Sequence, residues 1–537
     1  MQQHSASSRR DSSNLPGSVF LIAGDGRILQ LPMPSKSPRD PLSWSPAKRF
    51  TTIGVLVFFS TVALLNMQAA ALIYGPLSKE FDDELPKISK GFPLNLLVSA
   101  PSTLFLGLGA LLWVPLSLAL GRRPVLLLAC SFLMLGSLVA ALATKFYLLL
   151  VATCIQGFAA GFAFSTGLLM VIDLTFIHER VMAIANYWGV GAAITLVALR
   201  LVPVLGGTHW RNYYWFSFIM SLACTILALF LVPETYFVRP AIAFDGRILV
   251  QDGSEKVKIY EDWDEVPGGK PLPSIPESEP STWQLLAQKL TIRKAGGGWK
   301  QMGSSYMQVL LWLCNPLAFW VAILNAINFG GMLSIGMTYP IVMASPPYNL
   351  PHSTIALVDP VAAIGAILAI PATCMTVSRV ACRLTRKNGG VRDAEHYLVA
   401  FLLPTVSGSA SVILYGATVH FGWNFGWIFF SYVLNAFSSI GFGAAATIWV
   451  TEAFPGWAAS ALTVVGGFGY LLSFGVSYAI NPWVQAQGYL GANLQIGCLI
   501  AGIGGVAVPL VFWGKDIRQY IHGKWVRYDG GMLRPQV

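Results

Sequence analysis

Residues 50–74 read FTTIGVLVFFSTVALLNMQAAALIY, and no charged residue lies between the ends of that run. A helix crosses the hydrocarbon core of a bilayer with about 20 apolar residues, so the run is long enough to span it. The stretch Ile413–Val450 is equally free of charge and is broken only by a Gly/Trp/Asn turn near Trp423, which makes it a pair of spans. The whole chain follows suit. Of its 537 residues 55% are hydrophobic and 11% charged, with a mean hydropathy of +0.60. A soluble domain carries about 25% charged residues, so this apolar excess needs a non-aqueous solvent.

Gly, Pro and charge clusters punctuate the sequence into twelve predicted spans: 50–74, 92–120, 124–144, 146–174, 183–206, 212–232, 309–337, 354–377, 397–419, 426–450, 460–481 and 491–513. The fold class is therefore all-α integral membrane, with twelve transmembrane helices in two six-helix halves. The predicted division is an N-terminal tail (1–49), a first half (50–232), a linker (233–308), a second half (309–513) and a C-terminal tail (514–537). The linker is rich in Asp, Glu, Lys, Gly and Pro and reads as partly disordered, with a short amphipathic piece near Trp283–Leu290. The first 49 residues also read as loose. A long polar segment precedes the first span, which therefore reads as an uncleaved anchor.

Most of the 35 lysines and arginines fall in the tails, the linker and the loops on one side, which the positive-inside rule assigns to the cytosol together with both termini. That topology also accounts for the formal charge of +10, with no call for a nucleic acid. Seven cysteines lie in or beside apolar segments without a C-x-x-C pair and read as packing residues, forming neither a disulfide framework nor a metal site. No histidine lies deep in a predicted span, which argues against an intramembrane enzyme of histidine chemistry.

An ionisable group at membrane depth is costly and so a functional candidate. Arg200 in the fifth span and Asp359 in the eighth both lie about 7–9 Å below the outer end at 1.5 Å per residue. Three readings stay open for them: independent snorkelling, a pair that latches the outer side, or contact with a substrate. Protonation of Asp359 would then offer a route to proton coupling. Neutral candidates for substrate binding are Asn66, Gln68, Gln156, Tyr187, Asn325, Asn328, Tyr432, Asn435 and Tyr470, with Trp188 beside them; interhelical hydrogen bonding is the alternative for each. Asn325/Asn328 and Tyr432/Asn435 are spaced to share a helix face. A mostly apolar pocket with a few placed polar groups suits an amphipathic organic molecule.

Six short motifs carry a family resemblance. Trp113-Val-Pro-Leu-Ser with Gly121-Arg122-Arg123-Pro124 follows the second span. Asp173-Leu-Thr-Phe-Ile-His178-Glu179-Arg180 follows the fourth, and Pro203-Val-Leu-Gly206-Gly207 lies in the fifth. Lys387-Asn-Gly-Gly-Val-Arg-Asp-Ala-Glu395 follows the eighth, Gly514-Lys515-Asp516-Ile517-Arg518 follows the twelfth, and Asp40-Pro41-Leu42-Ser43-Trp44 leads into the first. In this order they resemble the fungal drug/proton-antiporter-like group of the major facilitator superfamily. The resemblance implies a secondary transporter working by alternating access on a small drug-like or secondary-metabolite compound, with efflux the first choice. It further implies a monomer without cofactor in the plasma membrane, its partners being the substrate and the lipid bilayer. Arg122, Arg123, Asp173 and Arg180 become gating candidates beside Arg200 and Asp359. An importer of a polyamine, a sugar or another nutrient, and a non-transporting membrane sensor, are the alternatives. The chain departs from the group's pattern at Leu118, Thr153 and Val202, where the family carries Asp, Arg and Gly. Two of these departures bear on proton antiport and on the usual lock at the cytoplasmic face.

Overall fold

The computed structural model describes residues 19–20, 37, 39–81, 94–207, 209–237, 242–244, 247–251, 257–260, 298–387 and 391–525. Seven spans are single helices: span 1 is Pro46–Leu72, span 2 Leu94–Leu120, span 3 Arg122–Ala141, span 6 Trp210–Leu231, span 7 Pro316–Ala344, span 8 Val358–Lys387 and span 10 Gly426–Ala453. The others are jointed. Span 4 is Phe146–Ala160 and, beyond a turn at 161–165, Thr166–Asp173. Span 5 is Arg180–Ala198 followed by Leu201–Gly206. Span 9 opens as a 3-10 helix over Ala394–Phe401 and continues as Leu402–Phe421.

Span 11 begins at Ala458–Thr463, widens into a π turn over Val464–Phe468 and runs on into Gly469–Gly505. The apolar stretch Ala458–Ile521 is 64 residues long, about three bilayer crossings' worth of residues and too much for one. It is divided at Gly488, whose φ of 72° no helix accommodates, and there span 12 begins, ending in Ala507–Trp525.

Local chemistry fixes the helix ends. Ser45 caps span 1 through the Lys48 N–H at 3.4 Å, with Pro46 in the first turn, where its missing N–H is not needed. Span 7 starts seven residues later than its predicted 309, because Asn315 caps Leu317 N–H at 2.9 Å and Pro316 cannot continue a preceding helix. Trp299–Leu313 is a separate helix. Its start donates from Gly298 N–H to the Ala119 carbonyl at the end of span 2, and its Gln308 accepts from Ser460 at the start of span 11. It therefore ties both halves together on one membrane face, called here the linker face.

Packing repeats between the halves. Spans 2 and 4, 3 and 4, and 3 and 6 pack in the first half; spans 8 and 10, 9 and 10, and 9 and 12 pack in the second. The halves meet through span 5 against spans 8 and 10 and span 2 against span 11. One large apolar core draws on both halves. A separate core around Ile73, Phe81, Phe146, Leu199 and Tyr213, at the opposite face, contains first-half residues alone.

The polar segments hold short strands. The linker holds a three-stranded antiparallel meander, Ile242–Phe244, Arg247–Gln251 and Val257–Tyr260, since alternating apolar residues such as Ile248 and Val250 suit a pleat. In the N-terminal tail Val19–Phe20 pairs antiparallel with Val391–Arg392 after span 8. The amphipathic piece expected near Trp283–Leu290 lies outside the described residues.

Candidate functional site: a charged gate below an aromatic interior

The gate is built from the ends of spans on the linker face. Gly121 has a φ of 107°, a value that glycine adopts freely, and it turns the chain from span 2 straight into span 3. That turn buries Arg122, whose Nε lies 3.3 Å from Asp173 Oδ2 at the end of span 4 and whose Nη1 donates to Ser117 Oγ at 2.6 Å. Glu234, just past span 6, accepts from the backbone N–H of Arg122 at 2.9 Å and of Arg123 at 3.2 Å, capping span 3 with both oxygens. Arg123 Nη2 reaches the Leu229 carbonyl at 2.8 Å. Burial pushes the Glu234 carboxyl above the usual glutamate range, against the pull of those backbone donors and of Arg122.

The second half repeats this plan. Arg392, before span 9, donates to Glu452 Oε2 at the end of span 10 at 2.6 Å. Arg518, on the extension of span 12, donates to Glu395 Oε2 at the start of span 9 at 2.9 Å. The other oxygen of Glu452 crosses the molecule: Arg180 Nη1, at the start of span 5, donates to Oε1 at 3.0 Å. All three side chains of this triad are buried. One carboxylate thus holds an arginine from each half.

Above the gate the interface is aromatic. Phe164 of the first half packs at a tilt against Trp188 (5.2 Å between centroids) and edge-on across the interface against Tyr470 (5.3 Å), which also meets Phe329 edge-on at 5.1 Å. Trp188 Nε1 donates across the interface to Thr447 Oγ1 at 3.3 Å.

Several polar candidates serve helix packing. Asn66 accepts from Tyr213 at 2.9 Å and Ser217 at 2.5 Å and donates to Ser137 at 3.4 Å; Gln156 donates to the same Ser137 at 3.3 Å. This knot joins spans 1, 3, 4 and 6. Tyr187 donates to the Ala163 carbonyl at 2.8 Å. Asn328 accepts from Ser438 at 3.1 Å, and Asn435 donates to Ser411 at 3.2 Å. Gln68 and Asn325 differ: both are half-buried, and neither side chain is engaged by a hydrogen bond among the described residues. The Asn325 amide lies beside Gly469 of span 11.

The expected outer pair of Arg200 and Asp359 is not formed in this conformation. Arg200 is exposed at a joint in span 5 and makes no ion pair among the described residues. Asp359 is buried and accepts instead from Tyr339 at 3.0 Å. The Tyr432 ring lies beside that of Tyr339, with centroids 5.5 Å apart. The sequence reasoning missed Arg392, Glu395, Arg518 and Tyr339. The signal was the repeat itself: each half places a basic residue before its third span and an acid at the end of its fourth.

Comparison with known proteins agrees with this architecture. The family model described as Major Facilitator Superfamily matches residues 54–477. An uncharacterized MFS-type transporter of Schizosaccharomyces pombe is 24% identical over 93% of this chain and 90% of its own length. An efflux pump of Dothistroma septosporum is 28% identical over 36% of this chain and 34% of the pump. The crystal structure of the human organic anion transporter MFSD10 has the same fold, with a TM-score of 0.55 at 16% identity, covering 86% of this chain and all of that one.

Proposed function

This chain belongs to the Major Facilitator Superfamily, and we propose that it moves a small amphipathic organic compound out of the cell by alternating access. The observation that carries this reading is the Arg180–Glu452 bridge between the halves, which lies at the linker face below an aromatic interior of residues from both halves. A bridge of this kind closes one face, and a change of state requires it to break while the opposite face closes. The separate apolar core at the opposite face draws on first-half residues alone. Phe164, Trp188, Phe329 and Tyr470, with the amides of Gln68 and Asn325, suit an apolar body with a few polar groups. The name of the Dothistroma septosporum relative supports export as the direction.

In this reading the carrier is a monomer in the plasma membrane with the linker face and both termini in the cytosol, where the positive charge of the short loops favours them. Tags at Met1 and near Gly268 are then closed to antibody in intact cells and open after permeabilisation; surface labelling of either reverses the topology. A resistance-and-uptake screen of cells lacking and overproducing the protein identifies the compound. Counterflow of that labelled compound in proteoliposomes is the decisive test. Accelerated exchange supports the carrier, whereas binding without exchange makes the protein a sensor, and net inward accumulation in cells makes it an importer.

A further inference from the structure

Span 8 is longer than a bilayer needs. It runs for 30 residues, whereas the hydrocarbon core takes about 20. No charged residue lies between Asp359, its second residue, and Arg379. Past that uncharged stretch its linker-face end carries Arg379, Arg383, Arg386 and Lys387. The segment from Arg379 to Lys387 rises about 12 Å at 1.5 Å per residue, which takes it through the headgroup layer of about 5–8 Å and just beyond. All four side chains are exposed, and none makes an ion pair or a hydrogen bond among the described residues.

These cations continue the surface that span 8 turns away from the protein. Ile364, Leu368, Met375, Arg379 and Arg386 follow one another at steps of four and seven residues, the spacing that keeps a single helix stripe, and all five are exposed. Arg383 and Lys387 flank the stripe at its end. The packed side of the helix is elsewhere: Gly365 backs onto Val433 of span 10, and Ile370 lies against Gly189 of span 5. One exposed stripe is therefore apolar at hydrocarbon depth and cationic at headgroup depth.

Other basic residues at the linker face are engaged within the protein. Arg122 faces Asp173, Arg180 and Arg392 share Glu452, Arg518 meets Glu395, and Lys515 lies 3.7 Å from Asp393. Those pairs occupy the acids of the second half at this face apart from Asp516, which is exposed on the extension of span 12 and makes no ion pair among the described residues. The end of span 8 thus keeps an excess of positive charge that the protein does not balance.

From this placement we propose that the linker-face end of span 8 binds the headgroups of anionic phospholipids. The acyl chains lie along Ile364, Leu368 and Met375, and the phosphate and carboxylate groups meet the arginines, whose planar forks suit them. Cations just past the end of a span attract an anionic leaflet in this way, and the lower ones reach back along their own stems to the headgroups. Continuity with the lipid-facing stripe makes the occupant a lipid in place of a soluble phosphate. The contact fixes the depth at which this end of the second half sits. The site stands whatever compound the chain moves.

The test uses full-length protein in lipid nanodiscs. Cys382 is exposed between Arg379 and Arg386, so a bimane on it, with the other cysteines replaced by alanine, reports the lipid at the stripe. Nitroxide-labelled phosphatidylserine and phosphatidylcholine are added at equal mole fraction. The serine lipid should quench about fivefold more strongly, the factor that about 1 kcal/mol per headgroup-facing cation gives. High salt should remove the preference, and so should Arg379→Gln, Arg383→Gln, Arg386→Gln and Lys387→Gln together. Arg379→Lys, Arg383→Lys and Arg386→Lys should keep most of it, because the charge remains. Equal quenching by the two lipids overturns the proposal, which is the result if an acidic protein segment or a second copy covers the stripe. A preference that survives the four glutamines overturns it too, since its source is then elsewhere. So does loss of the preference to soluble glycerol phosphate at the same phosphate concentration, which makes this a free-phosphate site. If the cysteine-depleted background does not fold, electron paramagnetic resonance of the same labelled lipids around the native protein and its four-glutamine variant decides. Equal immobilised fractions of the serine lipid in those two samples exclude the site.

Discussion

Arg180 and Glu452 belong to different halves of the molecule, yet their side chains meet at 3.0 Å in a buried site at the linker face. Glu452 also holds Arg392 at 2.6 Å, so one charge serves two arginines that water barely reaches. Removing one partner of a buried pair costs about 3–5 kcal/mol, because the charge left behind stays desolvated. The bridge exists in this conformation, and its loss therefore weighs against the closed linker face.

Glu452→Gln should open that face. Spin labels at the linker-face ends of spans 5 and 10 should show a longer-distance population, and the thermal midpoint of the purified protein should fall. Unchanged distances with an unchanged midpoint would show that the bridge does not hold the face shut.

Close backbone approach makes a second, independent contribution. A Cβ on Gly107 of span 2 would lie 2.8 Å from the Gly467 carbonyl oxygen of span 11, which as backbone cannot turn aside. Gly107→Ala should separate these two spans and slow turnover in the counterflow assay, in the direction of an open linker face. Gly475→Ala is the control, since nothing lies within 4 Å of its added methyl. Equal behaviour of the two variants would show that span 2 and span 11 do not need this contact.

The apolar runs made the twelve spans and two halves legible because a bilayer demands length and lack of charge, and both can be read from letters alone. Joints were less legible. In the apolar run 458–513 the segment from Asn481 and Pro482 through Gln485 and Gln487 to Gly488 marks where one crossing ends, whereas the break in span 4 follows from packing around 161–165. Gate residues on short loops, such as Arg122 and Asp173, could be found by motif. The partner of Arg180 in the other half could not, since Glu452 meets it across 272 positions of sequence. Asn66 and Asn325 look alike in sequence, and the difference between them is the neighbour each one meets.

Glu234 gives the gate a pH signature. Burial raises its carboxyl above the ordinary value of 4.5. An acid raised on folding holds more protons folded than unfolded, so its contribution to stability falls as pH rises from 4.5 through the raised value. Glu234→Gln removes that titration. The thermal midpoint of the native protein, relative to the variant, should be level below pH 4.5 and decline above it. A relative midpoint that climbs with pH would mean that the backbone donors and Arg122 outweigh burial.

Arg122 should control exchange between states more than affinity, because it is buried at a helix junction on the linker face, away from the aromatic interior. Arg122→Lys keeps the charge and loses the planar fork that reaches Asp173 and Ser117 together. Hydrogen bonds to charged groups contribute about 1.5–3 kcal/mol, so the exchange rate should drop at least tenfold. Equilibrium binding of the exported compound should stay within about twofold, a change of some 0.4 kcal/mol. Weakened binding with an intact exchange rate would place Arg122 in recognition.

Two asparagines separate packing from recognition. Asn66 is buried, accepts two hydrogen bonds and donates one, knotting its span to spans 3 and 6. Asn66→Ala strands buried donors at about 1–3 kcal/mol and should lower the thermal midpoint without changing the KM of counterflow. Asn325 is half-buried and engaged by no hydrogen bond among the described residues, with its amide beside Gly469 of span 11, one residue from Tyr470. Asn325→Ala should leave stability within about 0.5 kcal/mol, as substitutions away from packed networks do, and raise KM. The contrast is the point of the experiment, because each variant supplies the control for the other. A raised KM in Asn66→Ala, or a large stability loss with unchanged KM in Asn325→Ala, would reverse the assignment and move the binding surface from the interface between the halves into the first half.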